Sequence, residues 1–380
     1  MTQSEHRSIL RTGDEFVVEA KSMAHGGHVI AHHAGRTLLV RHAIPGEQVR
    51  VRVTESGSKV TRADAVEVLV AAPTRVAPPC RFAGPGGCGG CDFQHMTLPA
   101  QRAAKEDVLR SSLRRFGGLQ DADLDRLDTR VHALPGHLDG LRWMTRVGWA
   151  EDASGIRGLR RHRSHDVVPV DHCLLAPTDI DSPPAMGHPV AGESARAQRT
   201  VRHRTWRISG FWQIHPHLPE ALVETVLGFG TPEPGEQWWD LYSGSGLFAA
   251  FLAERVGPEG SVIAVETSAS SVAAGREALH DLPQVRWHVA DVRRWILEGD
   301  HAAPDGVVLD PPRSGAGEGV IAALTSAGIP RLLYVACDPV ALARDLRVAR
   351  ANGYAIRSLA AFDAFPMTHH FETVAHLAPV

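Results

Sequence analysis

The stretch WWDLYSGSGLFAAFLAERVG, residues 238–257, decides the reading of the larger half of this 380-residue chain. An apolar run carries Asp240, a turn follows with Gly244 and Gly246, and a longer apolar stretch comes after it. The order is strand, glycine turn, helix, and the glycines allow a turn tight enough for a ligand to lie against the strand end. Downstream, SVIAVETS ends a second strand at Glu266, WHVADV a third at Asp291 and DGVVLDPPRSG a fourth at Asp310. Alternating strands and helical stretches from about Thr205 onward are the pattern of a doubly wound α/β sheet. Ligands of such sheets bind beyond the carboxyl ends of the strands, so Asp240, Glu266, Asp291 and Asp310 are expected to converge on one crevice. A carboxylate at the position of Glu266 suits the two hydroxyls of a ribose. One Gly-x-Gly alone is as often a packing turn as a binding site; the series of acids carries the argument. The turn lacks the longer Gly-x-Gly-x-x-Gly spacing, and no phosphate-loop lysine follows, so NAD and ATP both fit less well.

Composition sets the bounds. The chain is too long for one typical core, and two or three domains are expected. Hydrophobic residues make up 43% and the net charge is -3, so overall charge offers no argument for nucleic acid. No apolar run reaches the roughly 18 residues that a membrane-spanning helix needs. The opening MTQSEHRSIL has no basic–apolar–small pattern of a secretory signal, and a cytoplasmic protein is expected. Local charge says more than net charge. Arg142, Arg146, Arg157, Arg160, Arg161 and Arg163 fall in one stretch, and Arg199, Arg202, Arg204 and Arg207 in another. Such clusters suit phosphate contacts, with a solvated basic face as the equal alternative.

Residues 10–72 read as a small β-module. FVVEA, HVIAH, RTLLVRHAI, EQVRVRVTE and ADAVEVLV are short β-branched runs separated by glycine-rich or polar turns. Five strands at this spacing suit a barrel of the OB type. Pro73, Pro78 and Pro79 mark a boundary, and a cysteine-bearing middle domain is expected over 73–204, before the α/β domain at 205–380. In the middle lie a helix from Leu98 to Phe116 with a polar face, strands in RWMTRVGWAED and GIRGLRRHRSHDVVPV, and a loop in DSPPAMGHPVAGESARAQ. Five cysteines are present, an odd number that disulfides would not exhaust. Cys80, Cys88 and Cys91 stand together in PPCRFAGPGGCGGCDFQH, with Cys173 far downstream, a set that suits zinc or iron–sulfur. Cys337 follows the apolar run LLYVA, just ahead of the expected helix ALARDLRVAR.

The order Asp-x-x-x-Gly-x-Gly, with an acid after the next strand, resembles the class I S-adenosylmethionine-dependent methyltransferases. FWQIHP, VVLDPPRSG, YVACDP and FDAFPMTHHFETVAHL, taken in order, resemble the RNA uracil-5-methyltransferase family. CGGC followed by glutamine and histidine resembles that family's iron–sulfur branch, which carries an N-terminal TRAM domain matching the β-module. The resemblance implies a Rossmann-like methyltransferase domain, an OB-like TRAM barrel and a central iron–sulfur α+β domain. It implies S-adenosylmethionine as methyl donor, and a four-iron four-sulfur cluster on Cys80, Cys88, Cys91 and Cys173. Cys337 is then the nucleophile and Glu372 the base; Gln213, Tyr242, Glu266, Asp291 and Asp310 contact the cofactor. Arg313 contacts the target base or its phosphate, and Phe211 stacks on a base or packs in the core.

The implied reaction forms 5-methyluridine in ribosomal RNA, the preferred substrate, or in transfer RNA, by a monomer. Thiolate adds at uracil carbon 6, carbon 5 takes the methyl group, and a base removes the carbon 5 proton. Two departures from the pattern are Leu247, where asparagine is frequent, and Ala-Cys-Asp-Pro in place of Ser-Cys-Asn-Pro around Cys337. They motivate the alternative of a catalytically silent RNA-binding or redox-sensing protein on the same scaffold. A cytosine or small-molecule methyltransferase is a third reading.

Overall fold

The computed structural model describes residues 10–57, 60–136, 138–184, 197–208, 211–299 and 301–380. The loop expected in DSPPAMGHPVAGESARAQ falls mostly outside them.

The N-terminal strands are β1 (Glu15–Glu19), β2 (Ser22–Ala24), β3 (His28–His33), β4 (Arg36–Arg41), β5 (Gln48–Glu55) and β6 (Thr61–Val70). They form a six-stranded sheet ordered β1-β5-β6-β4-β3-β2. The sequence pattern shows only five, because three-residue β2 is too short for alternation to register. Val49, Val51 and Val53 of β5 are buried while the residues between them are not, so the period of two selects one face for the core. Glu47, which is 0% exposed, ties the module to the chain beyond β6. Its carboxylate accepts from the backbone of Ile44 and Ala72 and forms a two-pronged pair with Arg75 at 2.5 and 2.7 Å.

Helix α1 (Leu98–Arg115) starts with a proline in its first turn, where the missing N–H costs nothing. Arg102, Glu106, Asp107, Arg110 and Arg114 make its solvent-facing polar side, but Gln101 and Lys105, one turn apart on the buried side, are 0% and 1% exposed. The Lys105 ammonium donates to Asp363 at 2.5 Å and to the Phe365 carbonyl at 3.0 Å, and Gln101 holds Met367 through its backbone N–H. After the short α2 (Asp121–Leu124), β7 (Val131–Ala133) leaves the middle region altogether and adds to the edge of the C-terminal sheet. The middle has a small sheet of β8 (Ala150–Glu151), β9 (Arg157–Arg160) and β10 (Val167–Val168), then the hairpin β11 (Ala197–Val201) and β12 (Arg204–Ile208). Residues 142–149, expected as a strand, are irregular. Their backbone bonds run instead to Leu174, Leu175 and Ile214, and Trp143 is buried beneath.

The C-terminal part follows the pattern read from residues 238–257. It comprises α3 (Leu218–Gly230), β13 (Gln237–Leu241), α4 (Leu247–Val256), β14 (Ser261–Glu266), α5 (Ala269–Ala278), β15 (Val285–Val289), α6 (Val292–Glu298) and β16 (Gly306–Leu309). Then come α7 (Glu318–Ser326), β17 (Leu332–Ala336), α8 (Pro339–Ala351), β18 (Tyr354–Asp363) and β19 (Glu372–Pro379). The sheet order is β15-β14-β13-β16-β17-β19-β18-β7. Strands β13 to β17 are parallel, and β19 runs antiparallel between β17 and β18. β16 and β17 are buried along their whole length and carry no charged residue, which reflects helices on both faces. The strand order reverses between β13 and β16, which opens a crevice at their carboxyl ends.

Candidate active site

The crevice is built around the turn after β13. Gly244 and Gly246 have φ of +53° and +79°, and the non-glycine Tyr242 is also left-handed at +61°. A Cβ on Gly246 would lie 2.6 Å from the Trp287 ring, so only glycine fits there. Glu266 stands at the end of β14, and its two oxygens accept from the N–H groups of Gly244 (3.0 Å) and Ser268 (2.8 Å). It therefore fixes the turn, and because the Thr267 hydroxyl also donates to it at 3.0 Å, one of the four acceptor positions of the carboxylate is left for a ligand. Asp291 caps α6, accepting from Arg294 N–H at 2.8 Å. The Tyr242 phenol is pushed up to about 12, first by burial and then by the Asp291 and Asp345 carboxylates.

Asp240 does not join this rim. It is 0% exposed, and one carboxylate oxygen accepts from Ala249 N–H at 2.8 Å. Gly246, the residue that begins α4, has no side chain to cap it, so Asp240 satisfies an orphan donor of the first turn from below. Burial pushes its carboxyl up to about 8.

The nucleophile and base candidates meet through register. Ala336 of β17 pairs with Thr373 of β19, and the Thr373 hydroxyl donates to the Ala336 carbonyl at 2.8 Å. The next residues outward are Cys337 and Glu372, which consequently face one another at the end of the ladder. Cys337 is followed directly by Asp338, the N-cap of α8, so the helix begins at Pro339, earlier than the sequence suggested. Glu372 is 3% exposed, and burial together with Asp310 raises its carboxyl well above the usual range, against the pull of Arg313. Burial pushes Asp310 up to about 7, and Gln213 reaches its carboxylate at 3.4 Å. The Cys337 thiol is pushed up to about 12 by burial, then by Glu372 and Asp310, with Arg313 opposing. Phe211 is 63% exposed, with the Arg146 guanidinium 5.5 Å from its ring centre, which removes the core alternative.

A cavity of about 450 Å³ opens over Cys337, and its walls include His25, which no sequence motif pointed to. Arg313 and Asp338 border it from the α/β part, His369 and His370 from the β18–β19 connection, and His25 from the N-terminal sheet. The Asp338 carboxylate is divided between roles. One oxygen caps α8 through Val340 and Ala341 N–H at 3.0 and 2.8 Å, and the other meets His25 at 3.1 Å. Burial raises this carboxyl, but His25 and the two backbone donors outweigh it and leave it below the usual range. Asp92, next to Cys91, binds His369 at 2.5 Å and Arg41 at 3.3 Å. Burial pushes His370 down to about 3, so the ring is neutral near pH 7.

Cys80, Cys88, Cys91 and Cys173 line one further cavity of about 350 Å³. Gln94 stitches the loop, accepting from Cys80 N–H at 3.0 Å and donating to Cys91 sulfur at 3.1 Å. Burial raises the thiols of Cys88, Cys91 and Cys173, and each is raised further by others of the set. Among the described residues no three His, Cys, Asp or Glu side chains converge as a metal-ion site, so the expected metal centre on these four cysteines, whether zinc or iron–sulfur, is not shown.

A parallel five-strand core closed by an antiparallel β19 and a glycine turn facing Glu266 define a class I methyltransferase fold. Over its full length the fold matches the Pyrococcus abyssi tRNA (uracil-54, C5)-methyltransferase in complex with S-adenosyl-L-homocysteine. The TM-score is 0.69 at 19% identity, covering 95% of this chain and 99% of that one. Residues 297–379 match the tRNA (Uracil-5-)-methyltransferase family model, and residues 15–66 the TRAM domain. An uncharacterized RNA methyltransferase of Streptomyces avermitilis is 39% identical over 97% of this chain and 99% of that protein. A 23S rRNA (uracil(1939)-C(5))-methyltransferase of Chromohalobacter salexigens is 31% identical over 96% of this chain and 89% of that protein. The chain belongs to the S-adenosylmethionine-dependent RNA uracil-5-methyltransferase family, with a TRAM domain at its N-terminus. No helix among the described residues is long and apolar enough to cross a membrane.

Proposed function

We propose that this protein methylates carbon 5 of a uridine in RNA, with Cys337 as nucleophile and Glu372 as base. The observation that carries the reading is the β17–β19 register, which sets these two side chains opposite one another beside Arg313. Carbon 5 of uracil is a weak nucleophile. The Cys337 thiol gives up its proton to solvent, and addition of the resulting thiolate to carbon 6 turns the ring into an enolate, whose carbon 5 then takes the methyl group. Bound S-adenosylmethionine supplies that group as an electrophilic sulfonium methyl. Glu372 removes the proton left on carbon 5, the carbon 6–sulfur bond breaks, and thiolate leaves. The raised carboxyl of Glu372 matches the acceptance of a proton. Arg313 offers positive charge to both the thiolate and the developing enolate. Gln213, Tyr242, Glu266, Asp291 and Asp310 form the cofactor contacts, and exposed Phe211 stacks on a base. A uridine in folded RNA must be extruded to reach a thiol at this depth.

Ribosomal RNA is the preferred substrate, on the strength of the 23S enzyme from Chromohalobacter salexigens, with transfer RNA as the alternative. The protein acts as a monomer in the cytoplasm, with TRAM, middle and methyltransferase parts at 10–72, 73–204 and 205–380. The four-cysteine cavity suits a group larger than one ion, and a four-iron four-sulfur cluster on Cys80, Cys88, Cys91 and Cys173 is assigned to it. Its thiolates would clamp the 80–91 loop to the Cys173 segment, a structural role. Anaerobic protein should then carry about four irons with matching sulfide. Cys173→Ser should lose iron and melt earlier while still binding S-adenosylhomocysteine; stoichiometric zinc in active wild-type protein would dismiss the cluster.

The test of the reaction is methyl transfer from labelled cofactor to RNA, followed by nucleoside analysis. Cys337→Ala should abolish 5-methyluridine. Glu372→Gln should accumulate a covalent protein–RNA adduct, because addition and methyl transfer precede proton removal. Full methylation by Cys337→Ala would exclude the covalent route, and absence of cofactor binding in calorimetry would favour the silent scaffold.

A further inference from the structure

Arg313 stands exposed at the rim of the Cys337 cavity, and its side chain makes no hydrogen bond or ion pair among the described residues. Its place is therefore set by the backbone that carries it. That backbone leaves β16 at Leu309, where Asp310 N–H donates to the Leu241 carbonyl at 3.2 Å. It turns back at Pro312, whose carbonyl accepts from Gly315 N–H at 2.8 Å. Arg313 occupies the first of the two central positions of this turn. Beyond the turn the chain enters α7, whose N-cap, Gly317, has no side chain to bond the orphan donors of the helix start.

A buried acid from another element takes up that end. Asp345 of α8 is 5% exposed, and its Oδ2 accepts from Ala316 N–H at 2.8 Å, Gly317 N–H at 3.1 Å and the Tyr334 hydroxyl at 2.7 Å. The Tyr334 oxygen accepts in turn from Ala316 N–H at 3.0 Å. Burial and the Asp345 carboxylate raise the Tyr334 phenol well above its ordinary value, so the hydroxyl keeps its proton and donates. The chain wraps closely: Gly315 has φ of +87°, and a Cβ there would lie 2.7 Å from Asp345 Oδ2. A buried network bonded in this way holds one geometry firmly. Tyr334 lies on β17 three residues before Cys337, and Asp345 on α8 eight residues after it. The two elements that frame the nucleophile thus also hold the loop that bears its neighbouring cation.

We infer that Asp345, with Tyr334, is the positioning residue for Arg313: the pair anchors the 312–317 loop so that the guanidinium stays beside the Cys337 sulfur and the base bound there. The inference deepens the proposed methylation and rests on that reading for the role of Arg313, while its effect on the thiol is read without RNA. The sign of that effect separates positioning from a direct action of charge. Asp345 is an anion, so losing it would by field alone favour the thiolate. Slower ionisation of Cys337 after its loss therefore reports a displaced Arg313, whose charge otherwise draws the thiol down.

The test is alkylation of Cys337 in the full chain by iodoacetamide at mildly alkaline pH, followed by mass spectrometry of the Cys337 peptide. Arg313→Gln should slow the reaction about tenfold, the equivalent of one pKa unit of lost attraction. Asp345→Leu fills similar volume but accepts no hydrogen bond, and should slow alkylation by a comparable factor. Arg313→Gln/Asp345→Leu should be no slower than Arg313→Gln alone, because both changes remove the same interaction. Asp345→Asn keeps an oxygen acceptor and should recover most of the rate. Should Asp345→Leu fail to fold, Tyr334→Phe removes one hydroxyl from the network and keeps the ring; its smaller slowing should likewise vanish in the Arg313→Gln background. In methyl-transfer assays Asp345→Leu should lower kcat with KM for RNA near wild type, the pattern of an interaction made in the transition state. Alkylation at the wild-type rate or faster in both Asp345→Leu and Tyr334→Phe, or slowing that multiplies with that of Arg313→Gln, would overturn the positioning role. If Cys337→Ala still makes 5-methyluridine while the alkylation rates combine as expected, the positioning stands and the covalent reading falls.

Discussion

Replacing Lys105 by Met tests how the catalytic end of the sheet is held. Lys105 and Asp363 are buried together, with side chains 0% and 2% exposed and 2.5 Å between charged atoms. The ammonium also carries the Phe365 carbonyl, two residues further along the connection to Glu372. Methionine fills similar space but leaves Asp363 as an uncompensated buried carboxylate, which typically costs about 3–5 kcal/mol. At roughly 2–4 °C per kcal/mol for domains of 150–250 residues, the melting temperature should fall by on the order of 10 °C near pH 7. The pH dependence separates this cause from simple loss of packing. In Lys105→Met burial acts on the Asp363 carboxylate without a cation, so the charged form carries the cost. The penalty is therefore relieved toward acid, since the neutral acid tolerates burial. Thermal unfolding of both proteins between pH 5 and 8 should show the gap narrowing toward acid. Lys105→Met/Asp363→Leu should recover most of the loss, because removing both charges removes the stranded one. A gap independent of pH, with no recovery in the double variant, would refute the reasoning.

Asp338→Asn keeps a good cap for α8, since asparagine and aspartate cap equally well, but removes a carboxylate beside Cys337. The thiol should ionise at lower pH, so its alkylation by iodoacetamide should accelerate near neutrality, by less than about tenfold because burial and Glu372 dominate. A pH profile superimposable on wild type would mean that His25 already neutralises Asp338. Asp92→Asn addresses acid stability. His369 and Arg41 outweigh burial and hold the Asp92 carboxyl below the usual range, so its contribution is present above the unfolded pKa of about 4 and lost as pH falls further. The variant should unfold more readily than wild type above about pH 4, and the two curves should converge below it; parallel curves would exclude a role for that charge.

The α/β half was legible because its information is local. A glycine turn, an acid at each strand end and the alternation of strand with helix repeat within windows of a few tens of residues, and the strand ends at Glu266 and Asp310 stand where that pattern puts them. The place of Asp240 turned on one local fact: Gly246 leaves the first turn of α4 without a side-chain cap, and the buried acid on the strand just before the turn is drawn in to serve it. The partners of Gln101 and Lys105 on the buried side of α1 were out of reach for a different reason. Periodicity reports where Gln101 and Lys105 point, but whether that face meets water or a partner depends on residues 258 and 266 positions away in the chain. The same holds for Asp92 with His369, separated by 277 positions, and for His25 with Asp338. These long-range pairs share a destination. Lys105, Gln101 and Asp92 all grip the connection between Asp363 and His369, which leads directly into Glu372 at the start of β19. His25 reaches the residue after Cys337. The N-terminal and middle parts thus hold both ends of the Cys337–Glu372 pair in place, and buried pairing across parts gives that hold its rigidity. The methyl transfer proposed for this site would accordingly depend on those parts for geometry as well as for binding.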